Sequence, residues 1–166
     1  MPDFTRRKNR LDHYNYSADG DYFVTVCTAG KACIFGRITP NTAEMNLSSY
    51  GNAVLSAVRR LPAVFPSVMI PAFVIMLNHV HMIIRMTESG HSLSHIVNYL
   101  KGTVTKSTRA GIWQKSFYDH IIRNEDDYWR ICEYIRLNPA VWGSDIYYLP
   151  EQIPNPEAAG SAECDT

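Results

Sequence analysis

No run of about 18 apolar residues occurs anywhere in the sequence, which excludes a membrane-spanning helix. The opening residues, Met-Pro-Asp-Phe-Thr-Arg-Arg-Lys-Asn-Arg, lack the apolar stretch of a secretory signal. Both absences lead to the expectation of a soluble, cytoplasmic protein with no membrane partner. Cys-x-x-Cys pairs are missing too. Cys27, Cys33, Cys132 and Cys164 are scattered, against both a zinc knuckle and a disulfide framework, and are expected as reduced thiols, mostly buried. Beyond Arg136 there is no basic residue at all, and no internal repeat is visible.

What is present is a chain of 166 residues, 46% of them apolar, enough for one sizeable core and short for two. A single domain over residues 1–149 is expected, followed at 150–166 by an acidic tail dominated by Pro, Glu, Ala and Gly, which reads as disordered. The formal net charge is zero, yet Asp145, Glu151, Glu157, Glu163 and Asp165 all fall after Arg136, leaving sixteen basic against eleven acidic residues up to that point. The excess is clustered: Arg6, Arg7, Lys8 and Arg10 form an N-terminal arm, and Lys101, Lys106, Arg109 and Lys115 follow mid-chain. Such clusters attract polyanions, and they equally suit a solvated arm and a solvated helix face.

Residues 22–28, Tyr-Phe-Val-Thr-Val-Cys-Thr, are β-branched and aromatic and follow the turn signal Asp19-Gly20, so they read as the first strand. Leu47, Tyr50, Val54, Val58 and Leu61 recur at helical spacing, with Pro62 expected to stop that helix. The apolar runs 68–76 and 79–86 are separated only by Leu77-Asn78, which predicts an antiparallel hairpin. Ser92 caps a second amphipathic helix marked by Leu93, Ile96, Val97, Leu100 and Val104, with Lys101, Lys106 and Arg109 off its apolar stripe. Residues 113–122 read as a fourth strand. Asn124-Glu125-Asp126-Asp127 then opens a last helix that ends near Asn138, because the residue before Pro139 is pushed out of helical geometry. The order βαββαβ plus a terminal helix fits the α+β class: a ferredoxin-like antiparallel sheet with helices on one face and a further C-terminal helix.

Two short patterns carry chemistry. His79 and His81 are two apart on a predicted strand, so they point to one face and can converge on one ion while Val80 packs into the other. Such a pair leaves coordination positions open, as a catalytic metal needs, although two structural histidines would make the same pattern. Tyr134 and Asn138, four apart, share one face of the last helix and flank the apolar stripe of Tyr128, Ile131, Cys132 and Ile135, where side chains can border a cleft. A boundary aromatic and a helix-end asparagine before proline would occupy the same positions.

Asn78-His79-Val80-His81, Trp113-Gln114 with residues 117–123 (Phe-Tyr-Asp-His-Ile-Ile-Arg), and Tyr134-Ile135-Arg136-Leu137-Asn138-Pro139, taken together and in this order, resemble the single-tyrosine HUH transposases. Within that family the pattern, including Tyr14-Asn15-Tyr16-Ser17 and the strand after Asp21, is similar to the subgroup that includes the REP-associated tyrosine transposases. The resemblance spans about residues 6–148. It departs at Leu77, where the subgroup usually has proline, and in the short segment after Pro139.

The resemblance implies that His79 and His81 bind a divalent metal, Mg²⁺ or Mn²⁺, that Asn138 assists them, and that Tyr134, which the fold's last helix carries to the metal, is the nucleophile. Two imidazoles and an amide do not by themselves exclude zinc. The implied reaction is cleavage and rejoining of single-stranded DNA beside a hairpin through a 5′-phosphotyrosine, by a monomer or homodimer. Candidate DNA-binding residues are Arg6, Arg7, Lys8, Arg10, Lys101, Lys106 and Arg109. His120 reads as an extra acid or base or as a packed strand residue; Trp113, Phe117 and Tyr118 read as core. Three other readings fit parts of the sequence: a domesticated DNA-binding module without turnover, an RRM-like nucleic-acid-binding domain with the same element order, and a metallohydrolase for small phosphoesters.

Overall fold

A computed structural model describes residues 15–39, 42–87, 90–144 and 147. The basic arm with Arg6, Arg7, Lys8 and Arg10, the residue Cys164 and the tail at 150–166 lie outside the described residues. In chain order the elements are β1 (Gly20–Cys27), β2 (Gly36–Ile38), β3 (Met45–Leu47), α1 (Ser49–Val64), β4 (Val68–Ile75), β5 (His79–Met86), α2 (Leu93–Thr108), β6 (Tyr118–Ile122) and α3 (Glu125–Leu137), followed by a 3₁₀ stretch, Asn138–Ser144. The four long strands form one antiparallel sheet in the order β4-β5-β1-β6, the interleaved arrangement expected of a ferredoxin-like chain. No helix of the described residues is long and apolar enough to cross a membrane.

Strand alternation divides the sheet into two chemistries. Tyr22, Val24 and Val26 on β1 and Val80, Met82 and Ile84 on β5 point to one face, where they meet Val54, Val58 and Leu61 of α1 and Ile96, Leu100 and Val104 of α2. Burying each such aliphatic side chain is worth about 1.5–3 kcal/mol, so this layer supplies most of the folding drive. Phe23 and Ile83 point to the other face and pack on Ile131 and Ile135 of α3. Two helices thus cover one side and the third covers the other, with His79 and His81 on the α3 side.

Helix boundaries follow local chemistry. Ser48, Ser92 and Asn124 cap α1, α2 and α3, each accepting a backbone N–H in the first turn. The expected stop at Pro62 is corrected: α1 runs through it to Val64, because in the last turn the missing N–H sacrifices a single bond while Leu61 stays buried. Leu47, expected on that helix, belongs to β3 instead; the β2–β3 hairpin was not foreseen. Gly51 in the first turn of α1 lies so close to the chain that a Cβ there would sit 2.1 Å from the Phe35 carbonyl oxygen.

The fourth strand is shorter than residues 113–122. Trp113 makes only an isolated bridge to Thr28, and β6 begins at Tyr118. Lys101 explains the gap. Expected off the apolar stripe and facing DNA, it turns inward, 9% exposed, and donates from Nζ to the carbonyls of Gln114 at 2.8 Å and Ser116 at 3.1 Å. These carbonyls serve an ammonium rather than a sheet ladder, and Lys101 is removed from the candidate DNA-binding face. Among the described residues Cys27, Cys33 and Cys132 are free thiols, and of these only Cys27 is buried.

Candidate active site

The β4–β5 hairpin turns through Met76, Leu77 and Asn78, closed by a bond from the Met76 N–H to the His79 carbonyl at 2.8 Å. Its turn is tied to the segment after β1, since Thr28 and Phe35 donate their N–H groups to the carbonyls of Asn78 and Leu77. β5 therefore leaves a fixed point, and its first and third side chains, His79 and His81, emerge side by side with ring centroids 4.3 Å apart.

Each imidazole is held at Nδ1. The His79 Nδ1 lies 2.8 Å from the side-chain oxygen of Asn78, and the amide nitrogen of Asn78 donates to the carbonyls of Lys31 and Tyr147. The His81 Nδ1 lies 2.8 Å from the hydroxyl of Thr25, its register partner on β1. Both imidazoles are kept neutral. Burial first, then repulsion from the Lys31 ammonium and from any proton taken up by the adjoining His81, hold His79 well below the ordinary histidine range, and burial pushes His81 down to about 3. A neutral ring whose Nδ1 keeps its proton presents a lone pair at Nε2, the state a metal requires.

Tyr134 arrives from α3. Its hydroxyl is 3.3 Å from the His81 Nε2, its ring meets Phe23 edge-on at 6.1 Å, and Phe23 in turn stacks on His81 at 5.2 Å. Phe23 is thus a spacer that sets the height of α3 over the sheet. Asn138, fully buried, caps the same helix one turn beyond Tyr134. The sequence pattern singled out all four side chains. It did not assign roles to Asn78, Thr25 or Phe23, although Asn78 stands beside the histidines and Thr25 and Phe23 have strand parity with them.

The histidine pair is expected to leave coordination positions open; in the structure these positions are screened from solvent, His79 being 0% and His81 1% exposed. The cover is not the main core. Tyr147 lies 4.5 Å and Trp142 5.9 Å from the His79 ring between centroids, both from the segment after α3, and Trp142 seats on Met76 and Leu77. Tyr134 itself is only half-buried.

The residues fit a divalent cation. The Nε2 of His79 is buried without a hydrogen-bond partner among the described residues, a cost that an ion would relieve. No group of three or more His, Cys, Asp or Glu side chains suited to a metal occurs among the described residues. Among the described residues a third protein ligand would have to be of another type, as the Asn138 amide is.

The other expected site residues lie apart. Lys106 and Arg109 are exposed at the end of α2, on the opposite side of the sheet from Tyr134. His120 points toward α3 but bonds through Nε2 to Asp127 at 2.8 Å, in a cluster completed by Arg130.

No family profile matches the chain. A protein of Haemophilus influenzae, described only as uncharacterized, is 36% identical over 170 residues, covering 87% of this chain and 93% of its own length. A second from the same organism, described as a candidate REP-associated tyrosine transposase, is 25% identical over 131 residues, covering 70% of this chain and 74% of its own. Among solved structures, a REP-associated tyrosine transposase bound to a REP hairpin matches with a TM-score of 0.61 and 25% identity, over 81% of this chain and 75% of that one. A candidate transposase of Deinococcus radiodurans shares the fold, with a TM-score of 0.50 at 15% identity over 76% of this chain and 96% of that one.

Proposed function

Because the chain belongs to the family of the REP-associated tyrosine transposases, we propose that it is a transposase-like nuclease that cleaves and rejoins single-stranded DNA beside a hairpin, with Tyr134 as nucleophile. The observation that carries this reading is the approach of the Tyr134 hydroxyl to the His81 Nε2 at 3.3 Å, across the gap between α3 and the sheet. A phenol on a helix and an imidazole on a strand thus meet, as joint action on one phosphate requires.

His79 and His81, through Nε2, and Asn138, through its amide oxygen, would hold Mg²⁺ or Mn²⁺. When bound, such an ion polarises the scissile phosphate and stabilises the charge that develops on its oxygens. The protein's own groups do the rest. The Asn78 and Thr25 bonds fix both rings at Nδ1, with their centroids 4.3 Å apart, and Phe23 fixes the distance at which Tyr134 is presented. The Tyr134 oxygen attacks phosphorus, the bond to the 3′ oxygen breaks, the phenol loses its proton and the departing 3′ oxygen gains one. The products are a 5′-phosphotyrosine and a 3′ hydroxyl, with no net change in protonation. Because the ester keeps the energy of the broken linkage, a 3′ hydroxyl can reverse the step and rejoin the strand.

The test uses a labelled DNA hairpin with a single-stranded flank and added Mn²⁺ or Mg²⁺. The wild type is expected to yield a covalent adduct that Tyr134→Phe does not form and that a chelator prevents. An undiminished adduct from Tyr134→Phe rejects the assignment. The arm residues Arg6, Arg7, Lys8 and Arg10, with Lys106 and Arg109, supply the electrostatic part of binding; a flat plot of log affinity against log salt would reduce them to ordinary surface charge.

The full burial of His79 and His81 favours one second reading, a family member that binds DNA without turnover. It predicts hairpin binding of normal strength with no adduct at any metal concentration.

A further inference from the structure

A cleft of about 690 Å³ opens at the end of the sheet away from His79, where the start of β1, the end of β5 and the first turn of α3 meet. The reaction proposed above leaves it unused. One wall is Trp129, 61% exposed on a helix whose Ile131 and Ile135 are buried. The indole is nevertheless held in place: Nε1 donates to Glu125 Oε1 at 3.2 Å, and Tyr128 meets it edge-on at 5.3 Å. Tyr128 is backed by Arg85, whose guanidinium lies 5.4 Å from the ring centroid and is itself gripped by Asp21 through Nε and Nη2, both at 2.7 Å.

The lining chooses between kinds of ligand. Asp19, Asp21 and Glu125 line the cleft with Arg85 and Arg123; Asp21 and Arg85 are committed to each other, which leaves two carboxylates against one guanidinium. The remainder does not favour a phosphate, which would meet carboxylates. It favours a flat, uncharged ring whose edge donates hydrogen bonds to carboxylate oxygens. A held, exposed aromatic face beside such acceptors is the platform on which single-stranded bases stack. We infer that this cleft takes an unpaired nucleobase, stacked on Trp129 and bearing an exocyclic amino group turned toward the carboxylates.

The inference rests on the reading that the chain holds single-stranded DNA. It adds a second anchor on that strand. Arg85 follows His81 by four residues of β5, about 13 Å along the strand, so the base belongs a few nucleotides from the phosphate at Tyr134.

The experiment measures affinity of the full chain for a pool of DNA hairpins with a randomised unpaired flank, and for the same hairpin without a flank. Trp129→Ala should weaken binding to the flanked pool on the order of tenfold, and Trp129→Phe should restore most of it. Both variants should bind the flankless hairpin as the wild type does. Making each flank position abasic in turn should reproduce the loss at one position in the wild type and cause none there in Trp129→Ala. Wild-type affinity in Trp129→Ala, or an equal loss on the flankless hairpin, overturns the assignment while leaving the adduct result untouched. A wild type that binds neither hairpin overturns both this inference and the reading beneath it. Binding that depends on Trp129 without any adduct supports the cleft and rejects only the chemistry.

Discussion

The side-chain oxygen of Asn78 lies 2.8 Å from Nδ1 of His79, the residue that follows it in the chain. Both donors of the Asn78 amide face carbonyls, those of Lys31 and Tyr147, so it is the oxygen that must meet the ring. The ring proton then resides on Nδ1 and the lone pair on Nε2.

Removing that acceptor should therefore act on metal affinity. Asn78→Ala is expected to weaken Mn²⁺ binding on the order of 10–100-fold, the usual cost of losing such a partner. Isothermal titration of wild type and variant with Mn²⁺ checks it, and equal affinities would separate Asn78 from the metal.

The cover over His79 makes a second prediction. Tyr147 contacts both imidazoles, with ring centroids 4.5 Å from His79 and 5.9 Å from His81. Tyr147→Ala should quicken adduct formation at limiting Mn²⁺ by opening a path to Nε2. A rate equal to or below that of the wild type would mean the ring is a wall of the site rather than a cover.

Acid stability should depend on Asp127. Burial pushes its carboxyl up, but hydrogen bonds from His120 and Arg130 outweigh burial and hold it below the ordinary carboxylate range. A depressed value means stability that is present above the unfolded-state pKa, near 3.9, and lost as pH falls through the folded one. Urea unfolding followed from pH 7 down to pH 2.5 should show an acid limb that Asp127→Asn flattens. The variant should also lose about 1–3 kcal/mol at pH 7, where charged hydrogen bonds disappear. Parallel acid limbs in the two proteins would assign the pH dependence elsewhere.

Lys101 separates structure from DNA binding. Burial lowers its pKa, and its ammonium serves the carbonyls at 114–116. Lys101→Met keeps the stem and removes the donors, with an expected loss of about 1–3 kcal/mol in unfolding free energy. The salt dependence of DNA affinity should not change, because this charge never reaches solvent-side phosphates. A shallower salt slope in the variant would return Lys101 to the DNA face.

The fold was legible where the code is local. Strand alternation put Val80 and Met82 in one layer and His79 and His81 in the other, and helical spacing carried Tyr134 to the edge of the α3 stripe. The reading failed where geometry is set by distant or very short elements. Three-residue strands such as β2 and β3 carry too little alternation to be seen. A lysine beside an apolar stripe has a stem long enough to turn either way, and only the carbonyls of a loop that comes later in the chain decide the direction for Lys101. The cover over His79 comes from Trp142 and Tyr147, which no pattern around the histidines announces.

The outer strand of the sheet, β4, shifts register between Met69 and Ala72, and Pro71 in that interval has no amide hydrogen. A neighbour trying to extend the sheet along this margin would find its row of donors interrupted and the backbone out of step. Any lasting association of two copies along this border would have to be built from side-chain fit, because the main chain offers no continuous seam to zip.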